Sequence, residues 1–452
     1  MNEENERLIA YRIIKDYLDS KRPLKQIIDK WLPGSMPRIK RNFVYNLAKG
    51  TVRHLLFLDH GIAKFSKLDM GKIDQNLLCI LRISSYQIMF MEKVPPYSIL
   101  DQAVRLAKKS AHPKTARFVN GILRNMARKP DLRGWLCAGI EDSGISWEQK
   151  LSLKHSYPRW IVDYWSTYYG PAQTEKICVS MNKNPAIFLR FDPGRVSRSS
   201  AAGMLGLPQD INLGLPEELR NTNFVTASLK DIAQSSLMEQ GAAAVQDLSS
   251  QIAVKYYLNP QPGDSVLDLC SAPGGKALFA YELMGKKGYM VSVDINPKKT
   301  EKMKRDFKRL GAPDIKVITD DASSLEKLKQ ETLFDKIFID APCSALGTIS
   351  KNPDVKYNKK KEDMARLGEN SLKILSSAGR FLRKGGRLTY YACTLSPVEN
   401  QQMIERFLKK NTQYSVCGDL FEHGKTKSRG CVEIKPYYFG SEGGFACTLS
   451  KK

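Results

Sequence analysis

The chain has 452 residues, is 42% hydrophobic and carries a formal net charge of +24. That length exceeds one ordinary core, so two to four domains are expected, and the apolar fraction excludes a disordered chain. The charge favours a polyanionic partner, and no run approaches the roughly 20 apolar residues of a membrane span.

Residues 1–140 read as an all-helical domain. Apolar residues recur at helical spacing in Leu8, Tyr11, Ile14 and Leu18, again in Leu77, Leu81 and Met89, and again in Ile99, Ala103 and Leu106. Pro95 and Pro96 punctuate the pattern before a last helical pair that Phe118–Arg124 closes. Residues 1–150 hold 27 Lys+Arg against 15 Asp+Glu, a surplus of 12, which is half the net charge on a third of the chain. Within residues 101–130, eight basic residues from Arg105 to Lys129 face Asp101 alone. Such a cluster suits RNA grip, each phosphate contact adding about one unit to the salt slope of binding. A helical cap that stabilises the rest of the chain is the competing reading.

Residues 145–245 change texture. Short β-like runs, Ala186–Phe191 and Phe224–Thr226, flank a helical stretch at Ser199–Leu205, with turns at Asn184-Pro185 and Asp192-Pro193. A small α+β domain of RRM/ferredoxin-like type is expected. From residue 246 the alternation becomes regular. Apolar runs at Ser265–Leu269, Tyr289–Val293, Ile315–Ile318, Lys336–Ile339 and Arg387–Tyr391 alternate with helical stretches such as Lys298–Leu310 and Lys361–Leu382. This predicts a Rossmann-like, doubly wound α/β domain over residues 246–452, with all strand C-termini on one ligand-binding edge.

The first of these strands runs into Cys270-Ser271-Ala272-Pro273-Gly274-Gly275-Lys276, and a helix follows. Glycines at such a turn let the backbone approach a ligand, and the helix start offers free N–H groups. The second strand ends at Asp294, placed to accept both hydroxyls of a ribose. Asp321 follows the third strand, where a carboxylate meets an adenine amino group. Lys276 has three readings: a contact to a target phosphate, a contact to Asp340, or a solvated lysine at a helix start.

The fourth strand ends in Asp340-Ala341-Pro342-Cys343-Ser344 and the fifth in Tyr391-Ala392-Cys393-Thr394. If these strands are neighbours, both thiols face the same ligand. A buried thiol is most often a small hydrophobe, a reading that suits Cys79, Cys137, Cys178, Cys417, Cys431 and Cys447. Paired thiols past strand ends suit cytosine C5 chemistry instead. C5 is a poor nucleophile until a thiolate adds at C6, and a thiol near pKa 8.5 needs donors or positive charge to ionise at neutral pH. Asp340 is placed to bond N3 and the exocyclic amine of the base. Nine scattered cysteines without a CxxC pair read as reduced thiols in a cytoplasmic protein, and five histidines off metal spacing argue against zinc.

Four stretches, VLDLCSAPGGK (Val266–Lys276), IDAPCSALGTISKNPDVKY (Ile339–Tyr357), YYACTLSPVEN (Tyr390–Asn400) and VQDLSSQ (Val245–Gln251), resemble the Sun family of RNA 5-methylcytosine methyltransferases. PPYSILDQAVRLAKK and FVNGILR in the helical region resemble the NusB-like domain of its RsmB-type branch. The resemblance implies S-adenosyl-L-methionine (AdoMet) as cofactor, held by Cys270 to Lys276, Asp294, Asp321 and Asp340. It also implies Cys393 as the nucleophile, Cys343 in product release, and Asp340 facing the base. The implied partner is small-subunit (16S) rRNA, naked or partly assembled, with a monomeric enzyme and no membrane. Ala392 and Thr394 replace the family's usual Thr and Ser around the nucleophile, and Arg190-Phe191-Asp192 replaces its R-x-N. Two alternatives remain beside this expectation: the same chemistry on tRNA or 23S rRNA, and a non-catalytic RNA-binding assembly factor.

Overall fold

A computed structural model describes residues 6–32, 34–110, 113–207, 217–226, 235–417, 422–423, 426–427 and 430–452. It forms two compact units, one of Met1–Asn182 with Lys351–Lys360, the other of Lys183–Ser350 with Lys361–Lys452.

The first unit is helical. Asp74 caps the helix Gln75–Phe90 by accepting the N–H groups of Asn76 and Leu77. Leu77 and Leu81 on that helix join Tyr11, Ile14, Ala103 and Leu106 in one buried core, with Leu8, Leu18 and Met89 packed at its margin. Three further helices, Trp147–His155, Arg159–Tyr169 and Pro171–Met181, also belong to this unit. Residues 145–182 were expected in the α+β domain, and the structure places them otherwise. Each helix is only 9 or 11 residues long and is preceded by Ser146 or Pro158 at its N-cap or opens on Pro171, so the punctuation marks short helices and no change of domain.

Lys351–Lys360, which follows the Cys343 segment in sequence, is part of the helical unit. Its Lys356 is fully buried and donates to the carbonyls of Arg53 and Ser156, both at 3.1 Å, and to Asn182 Oδ1 at 2.8 Å. The ammonium also lies 3.7 Å from the centre of the Tyr157 ring. Lys356→Ala strands these acceptors and opens a cavity, a loss of about 3 kcal/mol. Scanning calorimetry should show a melting midpoint lower by roughly 5–10 °C. An unchanged midpoint would mean the buried lysine contributes nothing.

In the second unit, β1 (Ile187–Phe191), β2 (Asn223–Thr226) and β3 (Ala243–Val245) form an antiparallel sheet in the order β2-β1-β3. The helix Arg198–Leu205 joins it through Ala201, Ala202 and Leu205, which pack with Leu189, Phe191 and Phe224. Arg190 turns away from that cluster, pairs with Glu282 and donates to Gln246 Oε1 at 2.9 Å. The motif arginine thus ties the small sheet to the helix Gly275–Leu283.

The main sheet contains β4 (Ser265–Leu269), β5 (Tyr289–Asp294), β6 (Lys316–Thr319), β7 (Phe334–Asp340) and β8 (Leu382–Ala392). β9 (Tyr414–Val416) precedes a two-residue ladder of β10 (Glu422–His423) and β11 (Thr426–Lys427), followed by β12 (Cys431–Ile434) and β13 (Gly444–Lys451). The order is β12-β13-β8-β7-β4-β5-β6, with β9 also on β13. β6, β5, β4, β7 and β8 run parallel, as expected of a Rossmann-like domain, and β13 closes on β8 antiparallel. β7 and β8 are therefore neighbours.

Cys431 and Cys447 were read as independent reduced thiols. They are register partners on β12 and β13, and their sulfurs are bonded. Residues directly opposite in an antiparallel pair bring their Cβ atoms close, a proximity that a separation of 16 residues does not announce. No helix among the described residues is long and apolar enough to cross a membrane.

Candidate active site

The turn after β4 has the backbone that its sequence requires. Cys270 lies in the left-handed region at φ 58°, the Ala272–Pro273 bond is cis, and Gly274 at φ 94° begins the helix Gly275–Leu283. A Cβ on Gly274 would lie 2.8 Å from the Phe307 ring, so glycine is required there for space as well as conformation. Asp294, at the end of β5, accepts from the N–H of Ala272 at 3.1 Å and of Asn296 at 3.0 Å. It therefore braces the glycine turn. Asp321 is exposed and accepts from Ser323 N at 2.8 Å.

Burial pushes the Cys270 thiol up, and the charges of Asp340, Asp294, Asp268 and Asp321 push it further. All four acids thus surround this turn. Asp268 lies buried on β4 beneath it. Burial first, and then Asp340 and Asp294, push its carboxyl up to about 7, while the hydrogen bond from Ser271 opposes the rise. Its Oδ1 has no hydrogen-bond partner among the described residues. A crowded set of acids around an open glycine turn suits a ligand that carries positive charge, as the sulfonium and ammonium of AdoMet do.

At the next two strand ends, β7 places Asp340 and then Cys343, and β8 places Cys393. The two half-buried sulfurs are 3.4 Å apart. Lys276 donates to Asp340 Oδ2 at 2.7 Å, so of its three readings the structure takes the contact to Asp340. Burial alone would lower the pKa of this lysine, but the charge and hydrogen bond of Asp340 raise it. Its ammonium also lies 5.1 Å from the centre of the Tyr391 ring. The VQDLSSQ stretch supports that ring from beneath: Ser249 Oγ is 2.8 Å from the Tyr391 hydroxyl, and Asp247 accepts from Ser249 and from Glu442 N.

The protein groups around Cys393 do not favour its ionised form: the hydrogen bond with Cys343, then burial, then the nearby charges of Asp340 and Glu442 hold its pKa well above the ordinary thiol range. The sign follows directly. Alkylation of Cys393 by iodoacetamide should stay slow near neutrality and climb through the alkaline range. Cys343→Ala removes the largest cause, so the curve should move to lower pH. Mass spectrometry of the Cys393 peptide across roughly pH 6–10 reads this, and superimposable curves would refute it.

Several residues here escaped the reading of the sequence. Asp268 looked like an ordinary strand residue, although an acid in an otherwise apolar run was a usable signal. Ser344, Thr394 and Glu399 flank the thiols, and only the fold shows that they meet.

Comparison with known proteins agrees with this layout. Residues 255–450 match the 16S rRNA methyltransferase RsmB/F family, and residues 4–128 match the NusB family. A Bacillus subtilis (strain 168) protein, named probable ribosomal RNA small subunit methyltransferase B, is 32% identical over 423 residues and 91% of each chain. A Synechocystis protein of the same name is 31% identical over 98% of this chain and 99% of its own. Among solved structures, PH0851 superposes with a TM-score of 0.77 at 21% identity over 99% of both chains. NSun6 from Pyrococcus horikoshii, solved with SFG, gives 0.56 at 20% identity over 66% of this chain and 99% of its own. These two share the fold. With the Bacillus subtilis relative 32% identical over 91% of each chain, this protein belongs to the RsmB/F family of AdoMet-dependent methyltransferases.

Proposed function

We propose that this protein methylates C5 of a specific cytosine in small-subunit (16S) rRNA, with Cys393 as covalent nucleophile. The observation that carries the reading is the pair of sulfurs 3.4 Å apart beside the Lys276–Asp340 pair, at the ends of two adjacent parallel strands. The Cys393 thiolate adds to C6 and makes C5 electron-rich. Asp340, held by Lys276, hydrogen-bonds N3 and the exocyclic amine and supports the charge that the ring acquires. Bound AdoMet supplies the methyl group that C5 receives. Cys343, or a water it orients, takes the C5 proton, the electron pair re-forms the C5–C6 double bond, and the Cys393–C6 bond breaks.

In this reading Cys270 to Lys276, Asp294, Asp321 and Asp340 hold the cofactor. The raised pKa of Cys393 is compatible with it, because the positive charge that AdoMet would supply when bound would favour the ionised thiol. A target base inside a helix must leave its stack to reach the sulfurs. The helical unit grips RNA through its basic surplus, and the enzyme works as a cytoplasmic monomer away from membranes.

The names of the relatives favour small-subunit rRNA, and tRNA carries the second reading. Purified enzyme with tritiated AdoMet should label small-subunit rRNA transcripts and leave tRNA and 23S rRNA unlabelled. Label on tRNA alone would sink the rRNA assignment. Absence of label on every RNA would favour the assembly-factor alternative. Bisulfite sequencing of rRNA from cells lacking the protein should reveal one lost 5-methylcytosine.

A further inference from the structure

We infer that Glu399 is a positioning residue that clamps the two cysteine loops together and so sets the distance between the reacting thiols. The consequence for rate rests on the proposed roles of Cys393 and Cys343. The geometric claim does not.

The ladder between β7 and β8 ends at the pair Asp340↔Tyr391, with one last bond from Ala341 N to Tyr391 O. Both thiols lie beyond it, on loops that strand pairing no longer holds in register. Glu399 spans that gap. It lies on the Cys393 side of the chain and is completely buried, yet both of its carboxylate oxygens go to the residue after Cys343. Oε2 accepts from Ser344 N at 2.7 Å and Oε1 accepts from Ser344 Oγ at 2.6 Å.

Ser344 has a single hydroxyl proton, which goes to the carboxylate. The 2.6 Å contact between Ser344 Oγ and Thr394 Oγ1 is therefore donated by Thr394, the residue after Cys393. The chain Glu399–Ser344–Thr394 links the two neighbours of the thiols through wholly buried groups. Thr394 retains the hydroxyl that this link needs.

The backbones also meet. Gly347 N donates to Cys393 O at 3.1 Å, and a Cβ on Gly347 would lie 2.8 Å from that oxygen and 2.0 Å from Gly443 O. A buried carboxylate is costly unless its hydrogen bonds define a geometry, and an apolar side chain would fill the space more cheaply. Here the geometry defined is the approach of one loop to the other.

The test uses the full-length chain and three variants, Glu399→Ala, Glu399→Gln and Ser344→Ala. Phenylarsine oxide reports thiol spacing directly, because the trivalent arsenic bridges two close thiols with loss of water. Capture is scored as the amount lost on Cys343→Ala, which keeps every other thiol. Glu399→Ala should weaken this capture about tenfold or more and slow single-turnover methylation on the order of 10²-fold. AdoMet affinity should stay near the parent's.

Glu399→Gln keeps one acceptor for Ser344 N and offers an N–H to Ser344 Oγ, so it should return to within about fivefold of the parent in both readouts. Ser344→Ala breaks the hydroxyl chain but keeps the backbone bond, and should fall between the two. If Glu399→Ala does not fold, Ser344→Ala and Glu399→Gln decide the matter. A folded Glu399→Ala or Ser344→Ala protein that captures the arsenical as the parent does would overturn the clamp. Persistent methylation by Cys393→Ala beside a weakened capture would instead overturn the catalytic roles and leave the clamp standing.

Discussion

Cys393→Ala is expected to abolish methyl transfer, with a loss on the order of 10⁴-fold or more, because no other described group stands in for the sulfur proposed to attack C6. Cys343→Ala should behave differently. Its addition step is intact, so the enzyme should accumulate as a covalent protein–RNA adduct, seen as a shifted band on a denaturing gel after incubation with AdoMet and rRNA. The two sulfurs are 3.4 Å apart and chemically alike, so only this split in phenotype separates their roles. Continued methylation by Cys393→Ala would show that the nucleophile is wrongly assigned. Normal turnover by Cys343→Ala without adduct would remove Cys343 from product release. Removing Cys343 also removes the largest cause of the raised Cys393 pKa, so adduct formation in this variant should be faster at neutral pH than in the parent.

The second large effect is expected at Asp340. Asp340→Ala removes the group proposed to face the base and leaves Lys276 without its partner at 2.7 Å. Loss of charge stabilisation in a desolvated site is worth about 10²–10³-fold in the chemical step. Single-turnover methylation should fall by that amount while rRNA binding holds, because phosphate contacts dominate affinity. Lys276→Ala should show a smaller loss, about tenfold to 10²-fold, since Asp340 stays and only its orientation is relaxed. The same variant should lose some AdoMet affinity less readily than rate, because Lys276 closes the glycine turn but spends its hydrogen bond on Asp340. A Lys276→Ala enzyme slower than Asp340→Ala would reverse this order and point to a direct role for the lysine.

Much of the architecture was legible in the residues. Buried apolar runs located β4, β5, β6 and β7 to within a few residues, because a glycine turn or an acid lies near their ends, but caught only Arg387–Tyr391 of β8, whose start at Leu382 reads as part of the preceding helix. The motif after β4 declared its backbone in advance, since Gly274 is needed both for a positive φ and for clearance from Phe307. That both thiols lie on one sheet edge followed from topology, as parallel strands joined by right-handed crossovers put all their C-termini there, whereas the adjacency of β7 and β8 was conditional on the strand order. Less was legible where local pattern and tertiary grouping part company. Helices of 9 or 11 residues at 147–181 carry no mark of which unit they join, and Lys351–Lys360 follows the Cys343 loop yet belongs to the helical unit.

The residues alone determined the kinds of element and the chemistry available at the strand ends, because hydrophobic period, turn glycines and acid placement are local properties of a chain. Tertiary structure alone decided the rest. It raised the pKa of Cys393 through a sulfur 50 residues away, joined Cys431 to Cys447 across two strands, and turned Glu399 back onto Ser344. Each of these is a distance between residues far apart in sequence, and such distances exist only once the sheet has formed and excluded water from between them.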